Sequence, residues 1–527
     1  MNKIYRNILL LVSAGVIAGG CTKNFEEYNT NPYEPEALPV TSFFPAMLDC
    51  LASPEENPCQ RNNTFWACFG GYVTAPNSWS RGTLYSTMNI DDDWNKWTVD
   101  WYFTAEGGKG LYPGWFSVQR QTDGEGYYFQ MAQLLRVYVM SMVASLQGPL
   151  PYTSVANGDF YVAYDDEQTA WHAMFDDLDA AIAEIQAAAV SGSTPLSSVD
   201  RVYGGDNSKW VKFANTLKLR MAMRISSVDP VYAQQKAEEA VAAGVMESID
   251  DSAYDNLNGR YPNGYYQVSA GWGSYEVKAN ACIVAYMNGY QDPRRAKYFT
   301  TYTASEDAPE EYIGVRSGIQ GCIPSDYRYY SGLIYESLDR TTPMPIMFAA
   351  EAAFLRAEGA LKGWNMGGTA QQFYEQGIRL SFAEWGVEGA DAYIANNTLT
   401  PGNHTDPLVG ENNVTNKSKV TIAWDEGASD EQKLEKIITQ KWIAGFPSSL
   451  EGWSDFRRTG YPYLFAPRNN LSQPQIDGER QQRRLRFSQS EYERNAANVE
   501  AAAAKLEGGD EDGTELWWAL KNGEKKY

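Results

Sequence analysis

The chain has 527 residues, of which 43% are hydrophobic and 13% aromatic, so it has ample material for a large hydrophobic core. Its 66 acidic and 44 basic residues give a formal net charge of −22. Phosphate backbones repel so acidic a surface, which argues against nucleic acid as a partner. The hydrophobic and aromatic content is also too high for a globally disordered chain.

The N-terminus has the pattern of a bacterial lipoprotein signal peptide. Lys3 and Arg6 supply positive charge, and residues 8–17 form an apolar stretch too short to cross a bilayer comfortably. Small residues then lead directly to Cys21, as in a lipobox. We therefore expect residues 1–20 to be removed and Cys21 to carry the lipid anchor. The alternative is an ordinary secretory signal followed by an incidental cysteine.

Five cysteines remain in the mature chain. They are Cys50, Cys59, Cys68, Cys282 and Cys322. Export permits disulfides, and the spacing of Cys50 and Cys59 allows a small disulfide-closed loop, but the odd count leaves at least one thiol free. We expect most of them to be buried free thiols. Without a CxxC motif, and with only two histidines far apart, no zinc site is expected.

Apolar residues recur with helical spacing through most of the mature chain. The segments with this spacing are 127–147, 171–190, 209–225, 232–246, 275–290, 346–362, 370–384, 433–446 and 491–506. The first could span a membrane, but polar Gln130 and Arg136 favour a buried helix. Strand patterns are scarce, with short candidates at 312–316 and 419–424. The sequence thus predicts a mainly α protein with minor β-structure.

Two long insertions interrupt these helices. Residues 60–123 are rich in aromatics and glycine, and residues 386–430 are rich in asparagine, glycine, threonine and aspartate. Irregular stretches of this length are commonly functional. Helix pairs near 130–190, 209–246 and 346–385 suggest tetratricopeptide-like units, which stack to bury faces that one pair cannot cover.

Seven segments, in order, resemble the SusD/RagB family of outer-membrane nutrient-binding lipoproteins, in particular its SusD-like branch. The segments are EEYNTNPYEPEAL, LLRVYVMSMVASLQGPLPY, DRVYGGDNSKWVKFANTLKLRMAMR, QDPRRAKYF, PIMFAAEAAFLRAEGALKGW, ITQKWIAGFPSSLEGWSDFRRTGYP and RRLRFSQSEYERN. The resemblance covers nearly the whole of residues 21–527 and implies one nutrient-binding domain with a scaffold of four tetratricopeptide units. It also implies a ligand surface on the insertions, no cofactor, and lid-like association with a TonB-dependent (SusC-like) transporter. Most family members bind glycans, and some bind oligopeptides.

The expected location is the outer membrane, with the lipid-anchored protein exposed at the cell surface. Glu26 and Glu27, close behind Cys21, resemble the acidic signal that directs lipoproteins of Bacteroidetes to the outer face of that membrane.

Three aromatic clusters are candidates for the ligand surface, since flat rings stack on the C–H faces of sugars beside short polar groups. The first lies in 65–116, the second in 261–275 and the third in 327–330. The ligand-binding candidates from these clusters are Tyr72, Asn77, Trp79, Tyr265, Trp272 and Tyr329. The alternative for each ring is that it packs the core of an insertion.

No catalytic constellation is apparent, so we expect a binding protein and not an enzyme. His172 falls in an amphipathic helix and His404 in a polar loop, without a Ser/His/Asp or Cys/His set. The arginine pairs 457–458 and 483–484 lie among acids, which favours structural ion pairs over an anionic ligand. The rival functions are an oligopeptide-binding member of the same family, a surface glycosidase and a helical-repeat adaptor.

Overall fold

A computed structural model of the chain describes residues 38–52, 67–76, 85–90, 92–104, 110–257, 259, 261–271, 277–302, 311–321 and 323–521. The signal peptide, Cys21 and the acidic pair that follows it lie outside the described residues. The chain divides into a short N-terminal unit, Met1–Ser42, and a main unit, Phe43–Tyr527. The elements named below belong to the main unit.

Helices dominate the main unit. They are α1 (Phe44–Ala52), α2 (Asp92–Phe103), α3 (Leu111–Thr122), α4 (Gly126–Gln147), α5 (Glu167–Ser191), α6 (Asn207–Ile225), α7 (Pro230–Ala243), α8 (Gly264–Tyr266, continued as a π-helix over Gln267–Gly271), α9 (Ala281–Gly289), α10 (Arg295–Tyr298), α11 (Ala349–Leu361), α12 (Ala370–Glu384), α13 (Ala390–Ile394), α14 (Asp430–Ala444), α15 (Ser449–Thr459), α16 (Gln489–Arg494) and α17 (Ala496–Ala503).

Local sequence fixes where the long helices begin. The Asp166 carboxylate accepts a hydrogen bond from the Thr169 amide at the start of α5, and Asp206 caps α6 in the same way. Thr369 and Ser429 form capping boxes at the starts of α12 and α14. Each cap satisfies amide groups that the first turn of a helix leaves without a partner.

Consecutive helices pack as pairs, namely α4–α5, α6–α7, α11–α12 and α14–α15. The pairs then stack, since α5 packs on α6, and α11 packs on both α6 and α14. The predicted tetratricopeptide-like scaffold is confirmed. Its fourth pair includes α15, which the apolar spacing does not predict.

Helix α4 is buried from Met131 to its C-terminal end. It is the one helix in the described part of the chain that is long and apolar enough to cross a membrane, and 89% of its most apolar stretch is buried inside the protein. The prediction of a buried core helix is therefore confirmed.

In the described residues the sheet structure consists of two small antiparallel strand pairs. Strand β1 (Val73–Thr74) pairs with β3 (Lys278–Ala279), and β2 (Ala253–Asp255) pairs with β4 (Met344–Met347).

The two predicted strands are wrong. In 312–316 only an isolated bridge forms, and 419–424 contains no strand. The carbonyls of Val420 and Ile422 instead accept hydrogen bonds from tyrosine hydroxyls, so this buried backbone is satisfied without a ladder.

The insertions are only partly irregular. The described part of the first, 60–123, contains α2 and α3. The second, 386–430, is irregular as expected, apart from α13 and a single 3-10 turn.

The described cysteines are buried free thiols. Cys50 lies inside α1, where its Sγ donates to the carbonyl of Ala46 at 3.4 Å. Cys50 is thus a free thiol, as expected for most of the cysteines, and the small disulfide-closed loop that its spacing from Cys59 allows does not form. Cys68 and Cys282 are also free and buried, and burial raises the pKa of each to about 12. Cys59 and Cys322 lie outside the described residues.

Buried ion pairs connect the helix pairs. Arg220 of α6 makes two hydrogen bonds of 2.7 Å to Glu351 of α11, and Arg458 of α15 forms a forked pair with Glu358 of α11. Arg483 pairs with Glu515 at 2.7 Å. The predicted structural ion pairs thus form at Arg458 and Arg483, and also at Arg484, which pairs with Asp510. Arg457 is buried as well, but it donates to the backbone carbonyls of Ser145 and Arg483 instead.

Candidate functional site

The third aromatic cluster rests on an irregular platform around β3. The amide of Ala279 donates to the carbonyl of Ser331 at 2.9 Å, and the amide of Val315 donates to the carbonyl of Ala279 at 2.8 Å. The chain before and after the aromatic cluster 327–330 is thus hydrogen-bonded to strand β3. Below them lies a small separate core made of Tyr302, Val315, Ile319, Tyr327 and Tyr330.

A buried lysine ties the aromatic segment to this platform. The Nζ of Lys278 donates to the carbonyl of Tyr330 at 3.1 Å and to that of Arg328 at 3.4 Å. Burial lowers the pKa of this ammonium group. The lysine therefore fixes the backbone on either side of residue 329.

The 386–430 insertion supplies a second contact that holds the aromatic segment in place. The hydroxyl of Tyr330 donates to Oδ1 of Asp406 at 2.6 Å, and the Asn412 amide donates to Oδ2 at 2.8 Å. Although burial opposes ionisation, these hydrogen bonds lower the pKa of Asp406. An ionised carboxylate therefore anchors the tyrosine next to the exposed position.

Tyr329 stands on this support with 43% of its surface exposed. The guanidinium carbon of Arg328 lies 4.5 Å from the centre of the Tyr329 ring, and Nη2 donates to the phenol oxygen at 2.9 Å. The pair combines an accessible ring with guanidinium donors. Such a surface can stack on an apolar ligand face while donating hydrogen bonds to the ligand's edge.

Two of the predicted ligand residues are core residues instead. Tyr72 is 1% exposed, donates to the carbonyl of Trp442 at 2.5 Å and stacks on that indole. Tyr265 is 5% exposed and donates to the carbonyl of Pro447 at 3.2 Å. Neither ring offers a face to a ligand in this structure, so neither belongs to the candidate site.

The described residues do not include Asn77, Trp79 or Trp272. Described segments next to them contact β3 or the turn Ile334–Ser337. Strand β1, which precedes the first of these segments, pairs with β3, and the Thr74 hydroxyl lies 3.3 Å from that of Ser317. The 261–271 segment packs on the turn Ile334–Ser337. The described flank of the first cluster thus meets the strand that supports the third cluster, and the described part of the second cluster packs on residues 334–337, which follow the third cluster in sequence.

The supporting residues were not predicted. Lys278 and Asp406 are distant in sequence from Tyr329, and both stand among residues with no motif. Only their contacts in the fold connect them to the site.

The described residues contain no group of three or more histidine, cysteine or acidic side chains suited to a metal ion. His172 lies 2.9 Å from Asp229 and stacks on Tyr232, while His404 is buried with its pKa lowered to about 4 by burial. Neither is part of a nucleophile–base pair in the described structure.

A family model described as "Susd and RagB outer membrane lipoprotein" matches residues 22–519. The chain belongs to the SusD/RagB family. Members of this family of outer-membrane lipoproteins are binding proteins rather than enzymes. No curated protein matches the chain significantly.

Solved structures of SusD homologues resemble the chain over nearly its whole length. A SusD-like protein from Bacteroides thetaiotaomicron VPI-5482 is 51% identical, with a TM-score of 0.87 over 92% of this chain and 100% of that one. A chitin-binding SusD homologue from Flavobacterium johnsoniae is 38% identical, with a TM-score of 0.86 over 93% of this chain and 100% of that one. A SusD homologue from Bacteroides ovatus ATCC 8483 is 36% identical, with a TM-score of 0.82 over 92% and 99% of the two chains. At the level of the family, these relationships support glycan binding.

Proposed function

We propose that this SusD/RagB protein is a cell-surface lipoprotein that captures neutral oligosaccharides and delivers them to a TonB-dependent outer-membrane transporter. Residues 21–527 act as one nutrient-binding domain, and the lipid on Cys21 holds that domain at the outer membrane. Capture and delivery require no bond to be made or broken in the ligand.

The observation that carries this proposal is the exposed Tyr329–Arg328 pair on its anchored support. Lys278 holds the backbone on either side of Tyr329, and Asp406 holds the adjacent Tyr330, so this segment loses little backbone freedom when a ligand binds. The ring covers the C–H face of one sugar, and the guanidinium donates to its hydroxyl or carbonyl oxygens. Trp79, Asn77 and Trp272 complete the surface in this proposal.

Two further observations select the ligand class. The net charge of −22 disfavours strongly acidic glycans. The chitin-binding homologue, at 38% identity, makes chito-oligosaccharides the first ligands to test.

The test is isothermal titration calorimetry of the mature protein with chitohexaose. We expect Tyr329→Ala to weaken binding about tenfold, since loss of a stacked ring removes about 1–2 kcal/mol. The matched control is Tyr329→Phe, which keeps the ring and removes only the hydroxyl that Arg328 contacts. Its affinity should stay within about threefold of wild type, because the lost hydrogen bond is exposed.

Equal affinities for wild type and Tyr329→Ala would show that the Tyr329 surface is not the binding site. Binding of oligopeptides in place of every neutral oligosaccharide tested would select the rival ligand class.

A further inference from the structure

A second concave site lies between α2, the end of α4, the 158–164 loop and α16. It is a cavity of about 340 Å³, within the range typical of small-molecule sites. Its lining shares no residue with the Tyr329 platform.

Two exposed aromatic rings form its rim. Phe160 is 91% exposed and Tyr161 is 61% exposed, and their ring centres lie 5.1 Å apart in an edge-to-face arrangement. Neighbouring large apolar side chains at this exposure commonly mark a contact site. Both rings line the cavity.

The loop that carries the two rings is fastened at its far side. The Asn495 side-chain amide donates to the carbonyl of Val162 at 2.9 Å, and Lys505 donates to the carbonyl of Tyr164 at 2.7 Å. The rim is therefore held in place before any ligand binds, which lowers the entropic cost of binding.

Another part of the cavity lining is polar, and its side chains are hydrogen-bonded to one another. The Asp100 carboxylate accepts hydrogen bonds from the hydroxyls of Ser488 at 3.1 Å and Ser490 at 2.6 Å. The Tyr164 hydroxyl donates to Glu491 at 2.9 Å. These contacts fix two carboxylates within one small cavity.

We propose that this cavity is a second saccharide site, which takes a single neutral sugar residue such as the end of a chain. Phe160 and Tyr161 cover the apolar face of the sugar, while Asp100 and Glu491 accept hydrogen bonds from its hydroxyls. The choice of a sugar rests on the proposed function. The two carboxylates outnumber the one cation in the lining, Arg494, so an acidic sugar is disfavoured.

With a second site, the protein would bind one long glycan at two places, or bind two neighbouring glycan chains at once. Two weak sites that engage one chain raise the overall affinity through effective concentration. The concave shape and the two carboxylates favour a small ligand rich in hydroxyl groups over a protein segment. An apolar protein segment would bury the two carboxylates without giving them new hydrogen-bond donors.

The test is saturation-transfer difference NMR of the mature protein with N-acetylglucosamine and methyl β-glucoside, with methyl β-glucuronide as the acidic comparison. The double variant Phe160→Ala/Tyr161→Ala changes exposed side chains only, so its fold should persist. Glu491→Gln, which keeps the side-chain volume, is the second variant, and Tyr329→Ala is the control at the other site.

We expect a signal from a neutral sugar that persists in Tyr329→Ala and falls about fivefold or more in the double variant and in Glu491→Gln. The glucuronide should give little signal.

A neutral-sugar signal that is unchanged in the double variant, or that disappears in Tyr329→Ala, would overturn this inference. Chitohexaose binding without any signal from the small sugars would overturn it while leaving the proposed function intact. Loss of transporter association in the double variant, again without a sugar signal, would overturn it in favour of a protein contact.

Discussion

Removing the carboxylate of Glu358 should destabilise the scaffold far more than removing a surface carboxylate. Glu358 is 1% exposed, and its two oxygens accept hydrogen bonds from the Arg458 guanidinium at 2.5 and 2.7 Å. This pair connects α11 to α15 and thus the third helix pair to the fourth. In Glu358→Ala the buried guanidinium keeps only the Asp455 carboxylate, at 3.0 Å, as a charged partner.

The variant loses two charge-assisted hydrogen bonds of about 1.5–3 kcal/mol each, while Asp455 remains as a partner for the arginine. We therefore expect the free energy of unfolding to fall by about 3–5 kcal/mol. A chain of this size has an unfolding entropy of about 1 kcal/mol per kelvin, so Tm should fall by about 3–5 °C. The matched control is Glu375→Ala in α12, whose pair with Arg379 is partly exposed at 3.2 Å. That change should cost about 0.5 kcal/mol or less.

Differential scanning calorimetry of the mature protein measures both shifts. The double variant Glu358→Ala/Arg458→Met should recover part of the loss, because it removes the uncompensated charge together with its former partner. A Glu358→Ala variant that melts within 1 °C of Glu375→Ala, or a double variant less stable than the single one, would refute this electrostatic account.

Three other predictions follow from buried and candidate-site residues. Burial lowers the pKa of the His404 imidazole from 6.5 to about 4 in the folded protein. As the pH falls from 6.5 to 4, the imidazole is therefore protonated in the unfolded chain before it is protonated in the folded one. The free energy of unfolding should then decrease by up to about 3 kcal/mol over this range. Urea unfolding at several pH values should show that His404→Gln removes this part of the slope; an unchanged slope would contradict the assignment. In Gly377→Ala the new Cβ would lie 2.7 Å from a ring of α11, whereas Gly410→Ala meets nothing within 4 Å, so only the first should lower the free energy of unfolding, by about 1–3 kcal/mol. Trp79→Ala and Trp272→Ala should each weaken chitohexaose binding about tenfold without changing Tm; wild-type affinity in both variants would exclude these two rings from the site.

Apolar periodicity predicted most of the scaffold. The stripe in 171–190 corresponds to α5, which the Asp166 cap extends to Glu167–Ser191. Helix α15 was missed because its buried positions include charged residues, which look like surface residues in sequence. Asp455 and Arg458 pair with each other inside the core, and Arg457 donates to the buried carbonyls of Ser145 and Arg483.

The candidate site was less predictable, because aromatic composition does not distinguish exposed rings from packed ones. Tyr72, Tyr265 and Tyr329 occur in similar loop-like contexts, yet only the last is exposed. The difference arises from contacts distant in sequence, such as the bond from Tyr72 to the Trp442 carbonyl and the bond between Tyr330 and Asp406.

If this SusD/RagB protein binds a glycan at the cell surface and passes it to a transporter, both molecules should accompany it out of the native membrane. The most direct measurement is to tag the C-terminus, solubilise the protein gently from its native outer membrane, and identify everything that co-purifies by mass spectrometry. The account predicts a stoichiometric TonB-dependent transporter, a bound neutral oligosaccharide and an acylated Cys21. Recovery of the protein alone, with neither transporter nor glycan, would contradict it.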